Sequence, residues 1–168
     1  VDYWDSGSWR DRFSSREYTR RQEAYADRLK TDGTYTPQIV VDGAFEFVGS
    51  NRAIANGTIA KSALQPKGTV DRKIDGPTLT ASIAGLNEHT DATVYLAVAE
   101  SGLSNKVSGG ENSGATLEHA SVVRQFKPVG SISGKQNEGN FSVQLALNAG
   151  WKAENVRYVL LVQEDASL

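Results

Sequence analysis

Three aspartates, Asp2, Asp5 and Asp11, stand close together at the start of the chain. Clustered carboxylates can take up and release a proton, or tune a neighbouring nucleophile. They also suit a plainer role, because Asp5 and Asp11 can cap a turn or pair with Arg10 and Arg12. Trp4 and Trp9 lie among them and offer either an aromatic wall for a peptide or packing for a core. Further on, Thr36-Pro37 leads into Gln38-Ile39-Val40-Val41. The cis form of an X-Pro bond costs only about 0.5–1 kcal/mol, so such a proline can hold a sharp loop beside a site. In the second half, Glu111, Glu118 and His119 are the candidate metal ligands, with Asn112 nearby. Their spacing matches no recognised metal site. Gly109 to Gly114 reads better as a tight loop whose polar side chains bond backbone, with Arg124 as an ion partner.

Other patterns fail on inspection. Gly130 to Lys135 resembles a phosphate loop but has one residue too few between its glycines, and Gln136 stands where a magnesium-binding hydroxyl is required. Ser113 is one position off a nucleophile elbow. The chain contains no cysteine, so it holds no disulfide, zinc-thiolate site or catalytic thiol of its own. No cofactor is implied.

The elements that must position these residues change character along the chain. Val1 to Trp4 is a short strand-like run. Ser14-Ser15-Arg16-Glu17 offers a capping box for a helix from Arg16 to Lys30, with Tyr18, Ala24, Tyr25, Ala26 and Leu29 on one side. Thr31-Asp32-Gly33 ends it, glycine being suited to a left-handed cap. Gln38 to Val41 and Ala44 to Val48 form a hairpin about Asp42-Gly43. Ser50 caps a second helix, weakened by Asn56-Gly57 and stopped by Pro66. Beyond about Val70 come short strands: Thr78 to Ala84, Thr93 to Ala99, Val122 to Phe126, Phe141 to Leu147 and Val156 to Gln163. These predict an antiparallel sandwich. The expected organisation is α+β, with one domain over residues 1–66 and a β-sandwich over 67–168.

With 168 residues, 39% hydrophobic and 23% charged, the chain can form a packed core. A net charge of -2 with interspersed signs gives no basic stripe for nucleic acid. No run approaches the roughly 20 apolar residues of a membrane helix, and no signal peptide is present. The absence of methionine and the abrupt start at Val1-Asp2-Tyr3-Trp4 predict a processed, excised or incomplete chain.

The order strand, helix, Thr-Pro, strand, tight turn, strand, helix resembles the latter part of a thioredoxin fold. Tyr35-Thr36-Pro37-Gln38 through Asp42-Gly43 is similar to that superfamily's proline loop. More specifically, Val1 to Asp5, Trp9-Arg10-Asp11 with Phe13, Arg21-Gln22, Gly110 to Gly114, Leu117-Glu118-His119 and Val122-Val123-Arg124 together resemble a family of secreted bacterial thioredoxin-like proteins of unknown function. The likeness spans nearly the whole chain.

This resemblance implies a cis proline at Pro37, a thioredoxin-like domain incomplete at its N-terminus, an immunoglobulin-like sandwich, and a periplasmic or secreted location. It also implies a Cys-x-x-Cys unit upstream of Val1 and a further strand after Gln163. Val1 to Trp4 would be a central parallel strand, and Asp2, Trp4, Asp5, Trp9, Thr36 and Pro37 would converge on one sheet edge. There an extended peptide or protein client would bind by strand pairing. The present residues would be redox-inert. A binding or assembly module is the alternative, its exposed strand edge accepting a strand from another copy. Metal or copper delivery through His119 and the acidic loop is a third.

Overall fold

The computed structural model describes residues 1–110 and 112–167 of the chain. It is an α+β protein with a sheet-rich second part. Helix α1, Arg16–Leu29, starts at Ser15, whose backbone is extended and whose side-chain oxygen accepts from the Glu17 amide. The cap thus falls one residue later than a Ser14 capping box requires, because the Ser14 hydroxyl donates to Asp5 instead. At the other end Lys30, not Gly33, takes the left-handed position, at φ 57°.

Strands β1 (Gln38–Val41) and β2 (Phe45–Val48) form the expected antiparallel hairpin. Asp42 and Gly43 both sit at positive φ, 50° and 67°, and Ala44 N–H closes the turn on the Val41 carbonyl. Aspartate tolerates that backbone because its side chain finds partners: the Ser62 hydroxyl and, at 2.8 Å, the Lys67 ammonium. Helix α2, Arg52–Ala63, is capped by Asn51, which accepts from the Ile54 amide; Ser50 does not serve as the cap.

The expected strand at Val1 to Trp4 does not form. Among the described residues the segment pairs with no strand; Asp5 N–H turns back to the Asp2 carbonyl, and Asp2 N–H donates to Thr19 Oγ1 of α1. A strand needs a ladder partner to satisfy its backbone, and here a helix side chain and a turn satisfy it.

The second part contains β3 (Thr69–Asp75), β4 (Thr78–Ala84), β5 (Ala92–Glu100), β6 (Leu103–Lys106), β7 (Thr116–His119), β8 (Val122–Ile132), β9 (Gly139–Gln144) and β10 (Val156–Glu164). Two three-stranded antiparallel sheets, ordered β3-β4-β9 and β10-β5-β8, face one another. Strict alternation along β4 puts Leu79, Ala81 and Ile83 inward, against Val94, Leu96 and Val98 of β5 and Ile132 of β8. Gly130 and Gly139 leave room for the Phe141 ring: a Cβ on Gly130 would come within 2.2 Å of it. The glycine that imitated a phosphate loop is therefore a packing residue.

Three strands escaped sequence recognition. β3 is exposed along its whole length and reads Thr-Val-Asp-Arg-Lys-Ile-Asp, so an edge strand protected by charge shows no clean alternation. β6 and β7 are short and pair only with each other. β8 also runs beyond Phe126, carrying Pro128 near the shift in its register with β5, where a proline is tolerated on an edge strand.

β5 is buried on one face and mostly half-buried on the other. One face meets β4; the other carries Tyr95, stacked on Phe126 of β8 at 4.7 Å between centroids, beneath Arg21 of α1. Helix α1 thus lies between the β1–β2 hairpin and the outer face of this sheet.

Candidate functional site

The proline loop follows from what α1 presents. Gln22 Nε2 donates to the Tyr35 carbonyl at 2.7 Å and to Gln38 Oε1 at 2.8 Å, while its own oxygen accepts from the Tyr3 hydroxyl at 3.0 Å. One helix residue therefore fixes the loop before the proline, the strand after it and the N-terminal segment. Thr36-Pro37 is cis, and the Pro37 carbonyl accepts from Gly49 N–H at 2.7 Å. Trp4 Nε1 donates to Thr36 Oγ1 at 3.0 Å. Tyr3 and Trp4 lie 5.9 Å apart at a tilt, and 66% of Trp4 is exposed. The result is an aromatic shelf against the loop, beside strand β1, whose second edge pairs with no other strand among the described residues.

Below the shelf, Glu46 accepts from the Tyr35 hydroxyl and from Gln38 Nε2. Burial raises the Tyr35 pKa, and the Glu46 carboxylate raises it further, so the phenol remains a donor. Gln22, Tyr3, Gln38 and Glu46 complete the arrangement. Gln22 stood in the sequence next to Arg21 with no sign of this role, because only the fold brings residues so far apart in the chain to one amide.

Of the residues expected to converge here, Trp4, Thr36 and Pro37 do so directly. The other three are engaged elsewhere. Asp2 accepts from the Thr19 hydroxyl at 2.6 Å and lies 3.8 Å from Arg16. Asp5 accepts from Ser14 Oγ at 2.6 Å, Asp11 N–H at 3.1 Å and Arg10 Nε at 3.2 Å. Burial alone would raise the Asp5 pKa, but these donors together lower it. Trp9 Nε1 donates to the Lys106 carbonyl at 3.2 Å, which ties the N-terminal loop to β6. Asp11 accepts from Phe13 N–H and from Asn105, so it serves the same junction.

Phe13 extends the junction. It meets His119 edge to face at 5.2 Å, and the Arg124 guanidinium lies 5.3 Å from its centroid. Arg124 pairs with Glu100 at 2.8 Å, and its guanidinium also lies 5.3 Å from the Trp151 ring centroid. Glu100 is 1% exposed and also accepts from Lys152 N–H.

Glu111 lies outside the described residues. Glu118 and His119 are neighbours on β7 and point to opposite faces, one exposed and one half-buried, so they cannot share an ion. Among the described residues no group of three His, Asp or Glu is placed to hold a metal. No helix among them is long and apolar enough to cross a membrane.

Fold and site together define an α+β protein in which a helix and a proline-loop hairpin are docked on a pair of antiparallel sheets. The chain belongs to the family described as "Protein of unknown function (DUF1223)", whose model matches residues 1–163. Its fold is similar to that of an Agrobacterium tumefaciens protein solved by X-ray crystallography, with a TM-score of 0.69 and 23% identity over 86% of this chain and 61% of that one. The chain therefore spans about three-fifths of that protein's length. No curated protein matches it.

Proposed function

We propose that the shelf formed by Tyr3, Trp4, Thr36 and Pro37 binds an extended peptide or protein client along the open edge of β1. The observation that carries this is the Trp4 to Thr36 hydrogen bond, which holds a largely exposed indole beside a strand with unpaired backbone groups. An added strand gains main-chain hydrogen bonds from such an edge, and an aromatic neighbour supplies side-chain contact. In this reading residues 1–66 are a partial thioredoxin-like unit and residues 67–168 an immunoglobulin-like sandwich. The protein is exported, as the family resemblance suggests, and thiol–disulfide chemistry is work for a longer parent that carries a Cys-x-x-Cys unit. These residues contain no cysteine and bind without redox turnover.

The test is titration of an isotopically labelled chain with an extended hexapeptide of alternating apolar and polar residues. Amide shifts should concentrate on Gln38 to Val41, and Trp4→Ala should weaken binding by about tenfold or more, as for an aromatic hot spot. Saturating peptide that leaves β1 unmoved would refute the proposal. Insulin reduction by the purified chain would overturn its redox-inert part.

A second reading, a self-assembling module, is favoured by α2. Ile54 and Ile59 of the helix and Leu64 at its C-terminal cap are 48%, 54% and 84% exposed, an unusual amount of apolar surface for one short segment. Sedimentation showing a strict monomer at high micromolar concentration would remove that reading.

A further inference from the structure

A second concavity, of about 810 Å³, lies where α1, the β1–β2 turn and the near ends of β3 and β10 meet. Its lining includes Val40 of β1 but none of Tyr3, Trp4, Thr36 and Pro37 of the shelf. Its size falls within the ~300–1,000 Å³ typical of small-molecule sites. Leu29, Val40, Val70 and Leu86 supply an apolar wall. Arg21, Arg28 and Lys67 supply fixed positive charge.

The polar groups of this cleft are unequally committed. Arg21 Nη2 donates to Gln163 Oε1 at 2.6 Å and to the Tyr25 hydroxyl at 2.9 Å, while Gln163 Nε2 donates to the same hydroxyl at 3.0 Å. The Arg21 donor fixes which way the Gln163 amide points, since a guanidinium can only donate. The Tyr25 oxygen therefore receives two hydrogen bonds, and its own O–H has no protein acceptor among the described residues. Arg28, three residues further along α1 and so on the same face, has no side-chain partner among the described residues. The acceptors on the rim are already engaged: Asp42 holds Lys67 and Ser62, and Glu164 has a partner of its own. What Tyr25 and Arg28 lack among the described residues is an acceptor carrying negative charge. Gly43 of the β1–β2 turn borders the same space, its Cβ position lying 3.8 Å from both the Tyr25 ring and Gln163 Nε2.

We propose that this cleft binds a small carboxylate with an apolar tail, the head taking the Tyr25 O–H and the Arg28 guanidinium and the tail lying on Leu29, Val40, Val70 and Leu86. A carboxylate presents two oxygens that accept only, which matches one hydroxyl and one guanidinium on adjacent helix turns. An alcohol with the same tail forfeits the charge, and a short carboxylate forfeits the wall.

The probe is octanoate, added to the full chain and followed by calorimetry and by amide shifts, with acetate and 1-octanol as comparators. Octanoate should bind at one site, shifting resonances around Tyr25, Arg28 and Leu86, with each comparator weaker by about tenfold or more. Arg28→Ala, at an exposed position, and Tyr25→Phe, which keeps the ring, should each weaken octanoate by about tenfold. No saturable binding by the folded chain at millimolar octanoate would overturn the proposal. So would shifts confined to other surfaces, equal binding of 1-octanol, or an affinity unchanged in both variants.

Discussion

The two parts of this molecule are stabilised in different ways. The sandwich closes on itself: Leu79, Ile83, Val94, Leu96, Val98 and Ile132 are almost wholly excluded from solvent, and each belongs to an apolar cluster shared by both sheets. Residues 1–66 bury little, Thr19, Ala26, Phe47 and Ser62 being their most enclosed side chains. They are held to the sheets by directed contacts: Arg21 over Tyr95 and Phe126, Trp9 to the Lys106 carbonyl, Asn105 to Asp11, and Phe13 between His119 and Arg124. A non-directional core tolerates sliding; hydrogen bonds and ring contacts fix position. The first part is therefore positioned by the second, and the proline-loop shelf inherits its geometry from contacts far from it.

The largest effect that would test this contrast is Leu96→Ala. It should destabilise the chain by up to about 5 kcal/mol and unfold both parts in one denaturant transition. Separate transitions, with residues 16–48 surviving, would break the comparison. Next is Arg124→Ala, which strands the buried Glu100 carboxylate and removes a neighbour from Phe13. A loss of about 3 kcal/mol is expected in chemical denaturation. Arg21→Ala should cost about 2 kcal/mol, from charged hydrogen bonds and ring contacts together. Its signature is regional: hydrogen exchange should speed up in α1 and the β1–β2 hairpin while β4 and β5 remain protected.

Trp4→Ala should change global stability by no more than about 0.5 kcal/mol, since most of the ring is exposed. The same variant is the one expected to lose the peptide, so stability and binding separate cleanly. The smallest effect concerns His89, whose two ring nitrogens face the Gln136 and Thr90 carbonyls. Those carbonyls raise its pKa above 6.5. The charged ring therefore contributes its full stabilisation below the unfolded value of 6.5 and loses it as pH rises through the higher folded value. A proton titration of the His89 ring should show a midpoint above 6.5, and the slight decline in stability with alkalinity should vanish in His89→Gln.

Much of the element order was legible. The spacing of Tyr18, Tyr25, Ala26 and Leu29 revealed α1, and Asp42-Gly43 revealed the hairpin, because both signals depend on residues close in sequence. Alternation from Thr78 to Ala84 gave β4 with its observed bounds. The caps were displaced where two neighbours were chemically equivalent: Ser14 and Ser15 can each cap α1, and only the position of Asp5 decides which does. For α2 the contest between Ser50 and Asn51 was settled the same way, in favour of the side chain that reaches the Ile54 amide.

The candidate site divides along the same line. Residue types alone picked out Trp4, Thr36 and Pro37, and their meeting depended on one hydrogen bond. Types alone also picked out Asp2, Asp5 and Trp9, yet each found a nearer partner in α1, in its own loop or in β6. Sequence by itself determined the local periodicities, the turn, the lack of cysteine in these residues and the presence of a proline loop, because those follow from neighbours and composition. The tertiary structure decided that Gln22 organises that loop, that Arg124 pairs with Glu100, and that Tyr25 meets Arg21 and Gln163 at the wall of a cleft. These are competitions among many possible donors and acceptors, and only three-dimensional distance chooses between them.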